Sequence, residues 1–204
     1  MPDLLGGVSY QWPFYAGLLL AYLVGSIPFG LVLTRLAGLG DIRHIGSGNI
    51  GATNVLRTGN KPLALAVLLL DGGKGAAAVI AAWRFGPDMA VFAAAGAVLG
   101  HCFPVWLRFK GGKGMATTLG SLLALDLVVG AIACATWLVV AVLFRISSLA
   151  TLLAVVAAPV AAHFLSDPGI RNVAAFIALV VIARHHANIR RLLKGEEPRI
   201  GKRK

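Results

Sequence analysis

The stretch 127-LVVGAIACATWLVVAVLF-144 holds eighteen residues without a charge or a proline. At about 1.5 Å per residue, a helix of that length nearly covers the roughly 30 Å of a bilayer's hydrocarbon core. Comparable apolar segments run over 14–34, 62–83, 88–107, 147–165 and 171–189, with a shorter one at 114–125. The whole 204-residue chain is 58% hydrophobic and 13% charged, with a mean hydropathy of +0.81, far from the soluble average. It reads as an all-α polytopic membrane protein with about seven transmembrane helices, some short or broken. Residues 1–204 form one domain, of which 190–204 is a basic tail. No internal repeat is evident.

The positions of the charges orient these spans. With the N-terminus outside, seven crossings put the C-terminus in the cytoplasm, and sixteen of the 19 lysines and arginines then lie inside. Only Arg84 and Arg171 fall outside, while Lys74 sits within a span. This asymmetry follows the positive-inside rule. "GPD" at 86–88 and "SDPG" at 166–169 supply the outer turns. Residues 114–125 make a helix of only about 18 Å, which suits a half-helix buried among its neighbours. Residues 1–13 carry only the charge of Asp3, so the first span reads as retained and not as a cleaved signal. The tail from 190 reads as an interfacial helix end followed by disorder, able to hold anionic headgroups.

The net charge of +11 sits in clusters between apolar runs, without aromatic interleaving, so nucleic acid is not the expected partner. Cys102 and Cys134 lie in apolar segments with neither zinc-site nor disulfide spacing, and read as small buried residues.

Three polar stretches interrupt the apolar chain, all on the predicted cytoplasmic side. The first is 46-GSGNIGATNVLR-57. Its glycines, Gly46 and Gly48 among them, permit backbone N–H groups to converge on an anion. Ser47, Asn49, Thr53 and Asn54 add side-chain donors, and Arg57 can fork onto phosphate oxygens. The second is 108-RFKGGKGMATT-118, where Lys110 and Lys113 flank Gly111 and Gly112, and Gly114 leads into the short helix. A glycine loop at a helix N-terminus suits an anion, and Thr117 follows within that helix. Gly114 stands where a nucleotide-binding P-loop needs Ser or Thr, which disfavours nucleotide hydrolysis.

The third stretch is 184-RHHANIRRLLKGEE-197. On one continuous helix, His185 and Asn188 share a face, with Arg191 a turn further and the Asn188 amide orienting the histidine. His186 points elsewhere and is the weaker candidate, and His44 and His163 read as structural. His101, in "GHCFPVW", is placed to position the second loop. Ser147 and Ser148 can add hydroxyls to the same cavity. Within a span, "DGGKG" at 71–75 sets Asp71 and Lys74 three residues apart, which points to function or to an ion pair locking helix packing. "GSIPFG" at 25–30 reads as a kink at Pro28 with small packing residues.

Taken together, "GSGNIGATNVLR", "GHCFPVWLRFKGGKGMAT" and "RHHANIRRLLKGEE" resemble, in this order, the bacterial acyl-phosphate:glycerol-3-phosphate acyltransferase (PlsY) family. "GSIPFG" and "SSLAT" at 147–151 extend the similarity over nearly the whole chain. Met115 stands where the family usually has valine. The resemblance implies a multi-pass enzyme of the bacterial inner membrane with its site facing the cytoplasm. It implies acyl transfer from acyl phosphate to the 1-hydroxyl of sn-glycerol 3-phosphate, giving lysophosphatidate and phosphate. No cofactor, metal, coenzyme A or acyl carrier protein is implied, and the unit reads as a monomer in the bilayer.

By the same resemblance, Ser47 and Arg57 are essential and Gly111, Gly112, Lys113 and Gly114 form the glycerol-phosphate loop. His185 and Asn188 are catalytic, and Glu197 is structural. The residues suit that chemistry in their own right. Both substrates are anions, and the leaving group of an acyl phosphate departs without a strong acid. The enzyme has chiefly to hold two phosphates together and align a hydroxyl with a carbonyl. No His–carboxylate pair stands near Ser47 in these motifs, which favours direct attack over an acyl-enzyme. The alternatives are a small transporter for an anionic metabolite, disfavoured by the lack of an inverted repeat, and a lipid-phosphate phosphatase, disfavoured by the lack of paired catalytic histidines.

Overall fold

Helix starts in this chain follow its prolines and small polar residues. Asn60 caps the helix Lys61–Trp83 by accepting the Leu63 N–H at 3.0 Å, and Asp126 caps Leu127–Phe144 through the N–H groups of Val128 and Val129. Pro87 and Pro168 open two other helices, where a missing N–H does no harm. The structure, a computed structural model, describes residues 8–201; residues 1–7 and the basic residues Lys202, Arg203 and Lys204 lie outside the described residues. In chain order the helices are α1 (Val8–Gly25), α2 (Phe29–Leu36), α3 (Ala52–Val55), α4 (Lys61–Trp83) and α5 (Pro87–Cys102). They continue as α6 (Met115–Leu125), α7 (Leu127–Phe144), α8 (Ser147–Leu165), α9 (Pro168–Arg184) and α10 (His186–Leu193). Among the described residues there is no strand.

Among the described residues, five stretches are long and apolar enough to cross a membrane: Tyr10–Leu36, Lys61–Trp83, Pro87–Leu107, Leu127–Phe144 and Ser147–Leu165. A sixth is formed only if α9 and α10, bent by 66°, count together. α6 has 11 residues, about 17 Å, and does not reach across. Three boundaries differ from the apolar segments of the sequence. The first span breaks between α1 and α2 at Pro28. The helix expected over 88–107 stops at Cys102, because Phe103 precedes a proline and is driven out of helical geometry. The helix expected over 171–189 bends at His185, so His185 and Asn188 do not share one continuous helix.

Small residues bring the helices together. A Cβ on Gly96 or Gly100, a GxxxG pair on α5, would collide with the carbonyl oxygens of Leu18 or Tyr22 on α1. Gly72 and Gly75 of α4 meet Gly120 and Ser121 of α6 in the same way. Alanines such as Ala93, Ala94, Ala154 and Ala158 fill the interior, while Leu69, Leu138, Leu143, Phe144, Phe164 and Leu179 face outward. That arrangement suits lipid, where helix association depends on close backbone packing because no hydrophobic force separates protein from solvent.

The tail does not run free after α10. Ile200 donates its N–H to the Arg145 carbonyl at 2.6 Å, and Arg145 Nη2 returns a bond to the Ile200 carbonyl at 3.1 Å. The expectation of disorder beyond the helix end is therefore corrected as far as Gly201.

Candidate active site

The loop between α2 and α3 is built on its own small core. Ile42, Ile50 and Val55 are buried with Leu31 of α2 and Val67 of α4. Asn54 is the hub of its polar interior. Its Nδ2 donates to the carbonyls of Ile42, Ile45 and Asn49 at 2.8–3.0 Å, and its Oδ1 accepts the Ser47 N–H at 3.0 Å. Expected to bind substrate, Asn54 instead has its hydrogen-bonding capacity committed to the loop. Gly46, at φ +58°, lies so close to Asn54 Oδ1 and the Arg57 guanidinium that a Cβ would clash with both. Ser47 and Arg57 are exposed. Among the described residues Arg57 has no hydrogen-bond or ion-pair partner. Thr53 Oγ1 and Ser147 Oγ, 3.4 Å apart, join this loop to the start of α8.

The glycine loop between α5 and α6 departs from expectation in one respect. The N–H groups of Gly111 and Gly112 donate to the carbonyls of Cys102 and His101 at 3.2 and 3.0 Å, so they do not point at a ligand. Their carbonyls accept from Arg184 Nη2 and Nε at 2.9 and 3.1 Å. The glycines are there for close packing, since a Cβ on Gly112 would enter the His101 ring. What the loop presents is Lys113, followed by the first turn of α6, whose N–H groups have no intrahelical acceptor. Thr117 is buried with its hydroxyl unpartnered and its helix turn against Gly75, away from the cavity walls. Lys110 is exposed and is also absent from those walls.

The bend at His185 brings the third motif onto this loop. Lys113 Nζ donates to Asn188 Oδ1 at 2.6 Å, and Asn188 Nδ2 donates to Glu197 Oε1. The Glu197 carboxylate also accepts Ser148 Oγ and Arg191 Nε, each at 2.7 Å. Asn188 therefore orients Lys113 and not His185. His185 is buried and held by a bond between its Nδ1 and the Val181 carbonyl at 2.8 Å. A carbonyl only accepts, so Nδ1 carries the proton and Nε2 the lone pair.

Charge is arranged with purpose here. Burial draws Lys113 down to about pH 8, opposed by Glu197 and reinforced by Arg191, Arg184 and Arg57. Burial raises Glu197, but the bonds from Ser148, Asn188 and Arg191 outweigh it and hold the carboxylate below its ordinary value. Ser47, Gly48, Asn49, Gly111, Lys113, Arg184, His186, Ala187 and Arg191 enclose a cavity of about 210 Å³. Three of those walls are cationic, with Arg57 beside them and Glu197 as the network's one carboxylate. Among the described residues no three of His, Cys, Asp and Glu converge as a metal-binding set.

Sequence reasoning missed Arg184 and misplaced His186, which lines the cavity. Arg184 is adjacent to the histidine pair, but nothing local reveals that it caps two carbonyls more than seventy residues away.

The family model described as glycerol-3-phosphate acyltransferase matches residues 15–195. The glycerol-3-phosphate acyltransferase of Paramagnetospirillum magneticum is 62% identical over 184 residues, covering 90% of this chain and 92% of that protein. The protein of the same description from Cereibacter sphaeroides is 56% identical over 204 residues, all of both chains. The crystal structure of PlsY (YgiH), an integral membrane glycerol 3-phosphate acyltransferase, in its glycerol 3-phosphate form superposes with a TM-score of 0.87. It is 38% identical, over 93% of this chain and 96% of that one. Its lysophosphatidic acid form gives a TM-score of 0.86.

Proposed function

As the chain belongs to the glycerol-3-phosphate acyltransferase family, an integral membrane one, we propose that its donor is acyl phosphate and that acyl transfer is direct. The observation that carries this reading is the cluster of Arg57, Lys113, Arg184 and Arg191 about one small cavity with a single carboxylate in its network. Two phosphate-bearing substrates repel one another, and such a cluster offsets that repulsion while holding both in one orientation.

Lys113 and the first turn of α6 take the phosphate of glycerol 3-phosphate. Ser47 and Arg57 take the phosphate of the acyl donor. The 1-hydroxyl oxygen of glycerol 3-phosphate attacks the acyl carbon, forming the ester bond. The bond from that carbon to the bridging oxygen breaks, and its electron pair leaves with phosphate. The hydroxyl proton passes to the departing phosphate, because the cavity walls hold no carboxylate to take it. His185 Nε2 orients the hydroxyl. Ser47 stabilises charge and is not acylated, since no general base is bonded to it. The clustered basic residues support a site that faces the cytoplasm of a bacterial inner membrane.

The donor is tested with purified protein in detergent and labelled glycerol 3-phosphate, offered acyl phosphate, acyl-coenzyme A or acyl carrier protein in turn. Lysophosphatidate forms with acyl phosphate alone; equal or faster turnover with a thioester would refute the donor assignment.

A further inference from the structure

Asp71 and Lys74 are buried one turn apart on α4, inside a span. Lys74 Nζ donates to Asp71 Oδ1 and to the Ile27 carbonyl, each at 2.7 Å, and lies 5.6 Å over the Phe29 ring. The Ile27 carbonyl sits where the first span breaks: the Leu31 N–H bonds Pro28 instead. The same Asp71 Oδ1 faces His101 Nδ1 at 3.5 Å, a buried ring nitrogen with no hydrogen bond. Nε2 of that same ring packs on Gly112, and the His101 carbonyl holds the Gly112 N–H. Two further bonds fasten this seam, Trp106 Nε1 to the Ser26 carbonyl and Tyr22 OH to the Phe103 carbonyl, both 2.7 Å. The broken end of the first span and the glycine loop are thus joined through one buried charged group.

A buried ion pair within a span is expensive and needs a reason. We propose that Asp71, Lys74 and His101 are positioning residues. They seat the 111–114 loop on the break at Pro28 and so set how tightly Lys113 and its helix turn hold glycerol 3-phosphate. None of the three contacts the cavity. The inference rests on the assignment of that loop to glycerol 3-phosphate.

The test is steady-state kinetics on purified Asp71→Asn, Asp71→Glu and His101→Gln, with Lys113→Ala as the direct loop variant. Asp71→Asn and His101→Gln raise the KM for glycerol 3-phosphate about tenfold, with kcat and the KM for the acyl donor changed less than about twofold. Asp71→Glu restores most of the affinity. Loss of folded protein with an unchanged KM would show a purely structural pair and overturn the proposal. Should Asp71→Asn be too unstable to purify, Asp71→Asn combined with Lys74→Met removes both charges together, and the same KM criterion decides. If Lys113→Ala moves only the acyl-donor KM, the loop assignment is wrong; the positioning role then stands if Asp71→Asn moves that same constant and falls if it does not.

Discussion

Lys113 and Asn188, 75 residues apart, share a hydrogen bond of 2.6 Å, and through it the glycine loop and the C-terminal motif act as one unit. Burial brings Lys113 down to about pH 8. Its ammonium is present below that value and is lost as pH rises through it. The KM for glycerol 3-phosphate therefore climbs above about pH 8 in the wild type, while Lys113→Arg, charged throughout, stays level across pH 7–10. Parallel profiles for the two proteins would disconnect the lysine from substrate affinity.

Arg184 holds the carbonyls of Gly111 and Gly112 at 2.9 and 3.1 Å. Removing two charge-assisted bonds frees the loop, and Arg184→Ala is expected to weaken glycerol 3-phosphate by about 2 kcal/mol, roughly thirtyfold. Arg184→Lys recovers little, since an ammonium cannot span both carbonyls in the guanidinium's geometry. KM values for the three proteins check this, and equal values for Lys and Arg would limit the residue to charge alone.

His185 hydrogen-bonds Val181 through Nδ1, which leaves Nε2 to orient a hydroxyl. With the proton passing to phosphate, His185→Ala lowers kcat but keeps the acidic limb of the pH–rate profile, which belongs to the substrate phosphates. Disappearance of that limb in the variant would make the histidine the base.

On the seven-crossing topology proposed from the sequence, sixteen of the 19 basic residues fall on one side. In a background lacking Cys102 and Cys134, single cysteines at 58 and 196 are protected from an impermeant thiol reagent in intact cells, and one at 168 is labelled. The reverse pattern would invert the orientation and move the site to the outer face.

The spans were legible because an uncharged run such as 127–144 has few other solutions in lipid, and each apolar segment holds a helix, although 14–34 breaks at Pro28 and the helix of 88–107 stops at Cys102. The polar motifs were legible as anion-binding loops by residue type. Their inner logic was not. A glycine serves equally for a free N–H or for close packing, and only the approach of His101 to Gly112 tells which applies. Asn54 likewise reads as a donor until the loop closes around it. Glu197 lies nine residues beyond Asn188 and meets it only because the tail turns back to Arg145. Such long-range closures leave no local periodicity. The bend at His185 leaves none either, since the chain is helical on both sides of it.

Direct transfer is tested most sharply in a single turnover with excess enzyme and acyl phosphate labelled in the acyl chain, quenched before and after glycerol 3-phosphate is added. The account predicts no acyl label on the protein before addition, and label appearing only in lysophosphatidate afterwards, with one phosphate released for each ester formed. An acyl ester on Ser47 that forms first, and then passes its label to glycerol 3-phosphate at the rate of turnover, would contradict it.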